Sequence, residues 1–222
     1  MTGESQSTVA PLACDVLADR ADEALGASCF LGALSRVFAQ HPVQSDIDVL
    51  AEIASLLGAE GLGEFEAESL AEHFDERFYV PCSARYVPLT ESCLRRAQND
   101  DGMWRFGSRE SAWRSHALRC YAAAGYEWRG VAGNAPERAI EPDSLAVELA
   151  FLSYLAGHEA VAARRGDATG ADMARSLFTA FAREHLSQWL PKAAECLAAS
   201  EDDFFARATH LADAAVQAMG DA

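Results

Sequence analysis

Apolar residues recur at three- and four-residue steps along most of this 222-residue chain, which is the period of an amphipathic helix. The pattern predicts a helix from Ala13 to Gln40 with a break near Gly26. Phe30, Leu34, Val37 and Phe38 form its inner stripe, and His41-Pro42 ends it. A second helix, Asp46 to Leu57, presents Ile47, Leu50, Ile53 and Leu57. A third, Glu64 to Tyr79, presents Phe65, Leu70, Phe74 and Phe78. Residues 80–107 are interrupted by Pro81 and Pro88 and read as loop with short helical turns. Helix resumes over Ser108–Gly125, with Trp113, Leu118 and Tyr121 as core positions. After a segment rich in Gly and Pro, helices are predicted over Asp143–Arg164, Ala171–Trp189 (Met173, Leu177, Phe181 and His185 at four-residue steps), Pro191–Ala199 and a last one to Met219. Asp202 or Asp203 would cap that last helix. Strict apolar–polar alternation, the mark of a half-buried strand, is not evident.

The expected fold class is therefore all-α, a single helical domain of roughly eight to ten helices. Residues 1–12 are expected to be a flexible N-terminus, 13–128 an N-terminal helical part, 129–142 a linker or hinge, and 143–220 a C-terminal helical part. Half of the residues are hydrophobic, enough for a sizeable core. No run of 18 uninterrupted apolar residues occurs, so no membrane span is expected. Met1–Leu12 lacks a basic stretch followed by an apolar one and does not read as a secretory signal. A cytoplasmic location is expected.

The segment Glu141-Pro142-Asp143-Ser144 marks a helix boundary. Proline disfavours helical geometry in the residue before it, and Asp143 is expected to cap the helix that follows. Leu145, Leu149, Leu152 and Ala156 give that helix a core face, with Glu148 set inside it. A carboxylate there must be solvated or partnered.

Charge narrows the class of partner. There are 34 acids against 18 Lys plus Arg, a formal net charge of −16. Lys192 is the sole lysine, and the stretch between Arg36 and Arg77 holds acids with no Lys or Arg. Such a surface repels phosphate backbones, so nucleic acid is not expected as a partner; a basic peptide would be attracted.

Catalytic and metal signatures are missing. There is no phosphate loop, dinucleotide fingerprint, His-Glu-x-x-His helix or Gly-x-Ser-x-Gly turn. The six cysteines form no Cys-x-x-Cys pair and are expected to be buried thiols, and the six histidines are dispersed. No catalytic residue, metal site or cofactor is assigned. Two constellations remain. Phe78-Tyr79-Val80-Pro81 followed by Tyr86-Val87-Pro88-Leu89-Thr90-Glu91-Ser92 offers rigid aromatics and a carboxylate for docking a peptide. His185 and Trp189 share a helix face four residues apart. Each also reads as ordinary core packing.

In their order along the chain, Phe-Tyr-Val-Pro, Tyr-Val-Pro-x-x-Glu-Ser, Glu-Pro-Asp, Glu-Leu-x-Phe-Leu, His-Leu-x-x-Trp-x-Pro and a late Phe-Phe helix resemble the TorD family of redox-enzyme maturation chaperones, which includes the DmsD and NarJ types. The resemblance runs from about residue 25 to 215. It implies a TorD-like helical fold with a hinge before Glu-Pro-Asp, and a non-catalytic role. Its partner would be the signal peptide or apoprotein of a molybdopterin-containing oxidoreductase, commonly carrying a twin-arginine signal, held until its cofactor is inserted. Tyr79, Tyr86, Glu91, Ser92, Glu141, Pro142, Asp143, Glu148, His185 and Trp189 match the family's motifs as peptide-binding positions. Ser144 stands where the family usually has His. On this reading Glu141, Asp143 and Glu148 gather beside an apolar groove and pair with guanidinium groups. Monomer and homodimer both fit, the latter by exchange of C-terminal helices. A helical ligand-binding protein or enzyme, and an acidic adaptor, are the alternatives.

Overall fold

The computed structural model describes residues 9–59, 61–131 and 140–221. Along the chain run α1 (Val9–Ala39), α2 (Gln44–Leu56), α3 (Ala67–Phe78), a one-turn α4 (Glu91–Leu94), the strands β1 (Gln98–Asp100) and β2 (Met103–Arg105), α5 (Ala112–Ala124), α6 (Leu145–Arg164), α7 (Ala168–Glu184), α8 (Leu186–Ser200) and α9 (Phe204–Asp221). The molecule is all-α, with 73% of the described residues helical. Of the flexible N-terminus expected over 1–12, residues 1–8 lie outside the described residues and 9–12 belong to α1; of the linker expected over 129–142, residues 132–139 lie outside them.

The most apolar helix becomes the axis of the bundle. In α6, Leu145, Leu149, Leu152 and Ala156 are all buried, as their spacing predicts, and so are Val147, Phe151, Leu155 and Ala160 on its other sides. By length and composition this helix could cross a membrane (mean hydropathy 1.3), but 61% of its apolar window is covered by the rest of the fold. It is a core helix. α1 lies along it, close enough for side chains to bond across to the backbone. Ser28 Oγ donates to the Ser153 carbonyl at 2.8 Å, Ser153 Oγ donates to the Ser28 carbonyl at 2.7 Å, and Ser35 Oγ donates to the Ala146 carbonyl at 2.8 Å. Glycine permits that approach: a Cβ on Gly157 would sit 3.2 Å from Ser28 Oγ, and one on Gly32 3.2 Å from Ser153 Oγ. Farther along, buried Glu159 accepts from Arg20 Nε at 2.7 Å and Arg175 Nε at 2.9 Å, tying α1, α6 and α7.

The C-terminal helices close on α3 through a buried arginine. Arg77 Nε donates to Asp203 Oδ2 at 2.8 Å, Nη1 to the Leu197 carbonyl at 3.1 Å and Nη2 to the Glu201 carbonyl at 2.9 Å. A charge taken out of water is held here by a carboxylate and two carbonyls. Phe74 and Phe78 pack on Phe205 beside it. Asp203 also caps α9 by accepting from the Ala206 N–H at 3.0 Å, while Asp202 pairs with Arg207.

Several local expectations are corrected. α1 is one helix of 31 residues with no break at Gly26. Its tertiary contact with α6 outweighs the modest helical penalty of a glycine. The break before Pro191 falls at His185, and Pro191 lies inside α8. Residues 98–105 form a hairpin in the register Gln98↔Arg105 and Asp100↔Met103. Its turn, Asp101-Gly102, has positive φ at both residues (51° and 87°), the Asp-Gly signature of a two-residue hairpin turn. Ser144, not Asp143, is the N-cap of α6, with its side chain accepting from the Val147 N–H at 3.4 Å. Met173 and Leu177 are exposed; α7 buries Ala174, Phe178 and Phe181 instead. Of the cysteines expected to be buried, Cys93 and Cys196 are, and Cys29 and Cys82 are exposed.

Candidate functional site

Two irregular segments meet in front of α6. Pro142 precedes the helix and cannot donate; the residues around it pair with the loop before α4. The Glu91 N–H donates to the Asp143 carbonyl at 2.8 Å, and the Leu145 N–H donates to the Leu89 carbonyl at 3.1 Å. Thr90 and Ser144 face each other as an isolated antiparallel bridge between these bonds. Asp143 then caps the partner segment rather than its own helix. Its Oδ2 accepts from the Ser92 N–H at 3.0 Å and from the Ser92 hydroxyl, satisfying an open amide in the first turn of α4. Tyr121 OH donates to the Pro142 carbonyl at 2.9 Å from behind. Burial pushes the Asp143 carboxyl up from its ordinary value, and the bonds from Ser92 oppose that shift.

Behind the clamp lies a buried polar chain. Glu91, Glu148, His185 and Trp189 are each at most 1% exposed. Trp189 Nε1 donates to Glu148 Oε2 at 3.0 Å, and His185 Nδ1 lies 2.7 Å from Glu91 Oε2. Arg95 Nη2 is 2.6 Å from the other Glu91 oxygen. No N–H or hydroxyl among the described residues donates to Glu148 Oε1. Burial, then the charge of nearby Glu91, push the Glu148 carboxyl well above its usual range. Two carboxyls at this range are held most easily when one carries a proton and donates to the other.

In front of the clamp is a groove of about 350 Å³. The loop contributes Tyr79, Pro81, Tyr86, Pro88 and Leu89; the approach to α6 contributes Ile140, Glu141, Ser144 and Leu145; Phe38 and Phe78 close the floor. One ion-paired corner interrupts the apolar walls. Glu141 Oε2 pairs with Arg114 Nη2 at 3.0 Å, while its Oε1 reaches Arg109 Nη1 only at 3.8 Å. Arg109 is 60% exposed and stands 3.4 Å from Tyr86 OH.

The eleven residues singled out in the sequence thus divide. Tyr79, Tyr86, Glu141 and Ser144 line the groove. Glu91, Ser92, Pro142, Asp143, Glu148, His185 and Trp189 are buried, and the bonds that Asp143 accepts from Ser92 and Glu91 tie the two wall segments together. The expected convergence of three carboxylates does not occur: Glu141 alone lines the groove. Asp143 faces Ser92, and Glu148 faces Trp189. A hydrophobic stretch around an acid buries the acid, and the reading of Glu148 as a surface guanidinium acceptor is corrected on that ground. Arg109, Arg114 and Ser111, whose hydroxyl meets Ser92 Oγ at 2.6 Å, were not legible. The partners that bring them to the site, Tyr86, Ser92 and Glu141, lie 19 or more residues away in sequence, and no periodicity links them.

The family model for the nitrate reductase delta subunit matches residues 40–195. No curated protein and no solved structure matches the chain.

Proposed function

Because this chain belongs to the nitrate reductase delta subunit family, a family of redox-enzyme maturation chaperones that act with molybdoenzyme subunits, we propose that it binds the N-terminal signal region of a molybdopterin-containing oxidoreductase subunit. It does so in the cytoplasm, without catalysis, and holds the subunit for cofactor insertion before export or assembly. A twin-arginine signal is the ligand chemistry the groove favours. Such a signal presents guanidinium groups followed by an apolar stretch.

The observation that supports this reading is the groove between the Tyr86 loop and the start of α6. It joins aromatic and proline walls to one carboxylate with a weakly engaged oxygen. Glu141 Oε1, 3.8 Å from Arg109, can take a guanidinium once the exposed Arg109 swings away, and a charge-assisted bond of that kind is stronger than a neutral one. Tyr79, Tyr86 and Leu89 can cover the apolar residues that follow. Rigid aromatic walls lose little conformational entropy on binding. The buried clamp fixes the two segments relative to each other, so the groove is formed before the ligand arrives.

Calorimetric titration with a twin-arginine signal peptide tests the assignment. Tyr86→Ala should weaken binding by about 1–2 kcal/mol, roughly tenfold or more, and Glu141→Gln should selectively weaken a peptide with both arginines over one with lysines in their place. Affinity unchanged in both variants, with helicity intact, would remove the groove from the proposal.

A further inference from the structure

We propose that His116, Cys120 and His185 form a binding site for a borderline divalent transition-metal ion of the zinc type. His116 and Cys120 are four residues apart on α5 and so project from one face of that helix. His185 enters from the junction of α7 and α8. Their donor atoms all lie within 4.8 Å of one another, and His116 Nδ1 and His185 Nε2 are 2.9 Å apart. Donors around one zinc ion sit at about 2.0–2.3 Å from it, so these three need only a small opening to enclose one. Two imidazole nitrogens and a thiolate suit zinc, cobalt or nickel and disfavour calcium and magnesium, which require oxygen.

The surroundings are those of a built site. His185 is 1% exposed, and its second nitrogen, Nδ1, lies 2.7 Å from Glu91 Oε2. With a carboxylate as acceptor, Nδ1 carries the proton and Nε2 turns its lone pair toward His116 and Cys120. This carboxylate–histidine arrangement is the one that commonly orients and strengthens a metal-bound imidazole. Glu91 is itself fixed by Arg95. Phe181 stacks on the His185 ring at 4.3 Å and limits its rotation. The His116 side chain is 39% exposed, which leaves an entry path and a fourth position open to solvent. A bound ion replaces the proton that otherwise lies between the two imidazoles, and the Cys120 thiol gives up its own.

The sequence hides this site. His116 and Cys120 are legible as a pair, but the third donor lies 69 residues from the first, and no motif spans the gap. An ion here would join α5 to the α7–α8 junction and, through Glu91, to the clamp behind the groove.

Zinc and cobalt(II), each added to the untagged, metal-free chain, test the proposal. Zinc measured by chelator competition should bind one ion per chain and raise the melting temperature. Cobalt should show a thiolate charge-transfer band together with the visible bands of low-symmetry coordination. His116→Ala and Cys120→Ser, both at partly exposed positions, should each weaken zinc binding at least about tenfold, and Cys120→Ser should remove the charge-transfer band. His41→Ala should leave binding unchanged. The cobalt spectrum of the unaltered chain needs no variant to fold. Absence of the thiolate band, absence of one-equivalent zinc binding, or equal binding by the folded His116→Ala and Cys120→Ser variants would overturn the assignment.

Discussion

At the scale of single residues, Glu148 and Arg77 illustrate two ways of burying a charge. Arg77 keeps its charge and meets Asp203 and two carbonyls. Arg77→Ala would leave Asp203 buried without its partner and should cost about 3–5 kcal/mol in chemical denaturation. Glu148 has its carboxyl pushed up by burial and by Glu91. A carboxyl with a folded value above its unfolded one binds the proton more tightly when folded. Its contribution to stability is full below the ordinary carboxyl range and is lost as pH rises through the folded value. Glu148→Gln retains an acceptor for Trp189 Nε1 and a donor for Glu91 without needing a proton. The variant should gain stability relative to the native chain as pH rises from 5 toward 8, read as melting temperatures across that series. A difference that is flat with pH, or that shrinks, would show that Glu148 is not the group concerned.

At the scale of elements, the clamp and the α1–α6 contact carry the arrangement. Asp143→Ala removes two bonds to Ser92, and each lost bond of this kind is worth about 1–3 kcal/mol when a buried partner is left open. Hydrogen exchange at residues 89–94 should accelerate in that variant, while exchange in the middle of α6 should hardly change. Gly157→Val would press a side chain onto Ser28, since even a Cβ would lie 3.2 Å from its hydroxyl. It should lower stability by about 1–3 kcal/mol through overpacking, visible in thermal melts. Much of this level was readable in the chain. The core face of α6 and the stripe of Phe30, Leu34, Val37 and Phe38 follow from helical spacing alone. What was not readable arises between segments. Asp143 looks like the cap of its own helix because a cap is a local rule, yet its oxygens serve α4, and Ser144 takes the local role. The hairpin at 98–105 had its signal in Asp101-Gly102, but its strands are too short for alternation to register. Met173 and Leu177 follow helical spacing and still face solvent, because spacing defines a face without saying which face the bundle covers.

At the scale of the whole molecule, a formal charge of −16 favours the arrival of a basic peptide and gives a salt-sensitive encounter. Association with a twin-arginine peptide should slow as salt rises toward 0.15 M, where screening shortens the electrostatic reach to about 8 Å. Dissociation, governed by groove contacts, should change less. The sequence reading singled out two segments that both line one groove. It misjudged which carboxylates face outward, because burial of Asp143 and Glu148 depends on Ser92 and Trp189, which approach only in the folded chain. Hydrogen-exchange mass spectrometry with and without the signal peptide tests the central claim most directly. Protection concentrated in residues 79–90 and 140–146 is the predicted result; unchanged exchange in both segments at saturating peptide, with protection elsewhere on the surface, would contradict it.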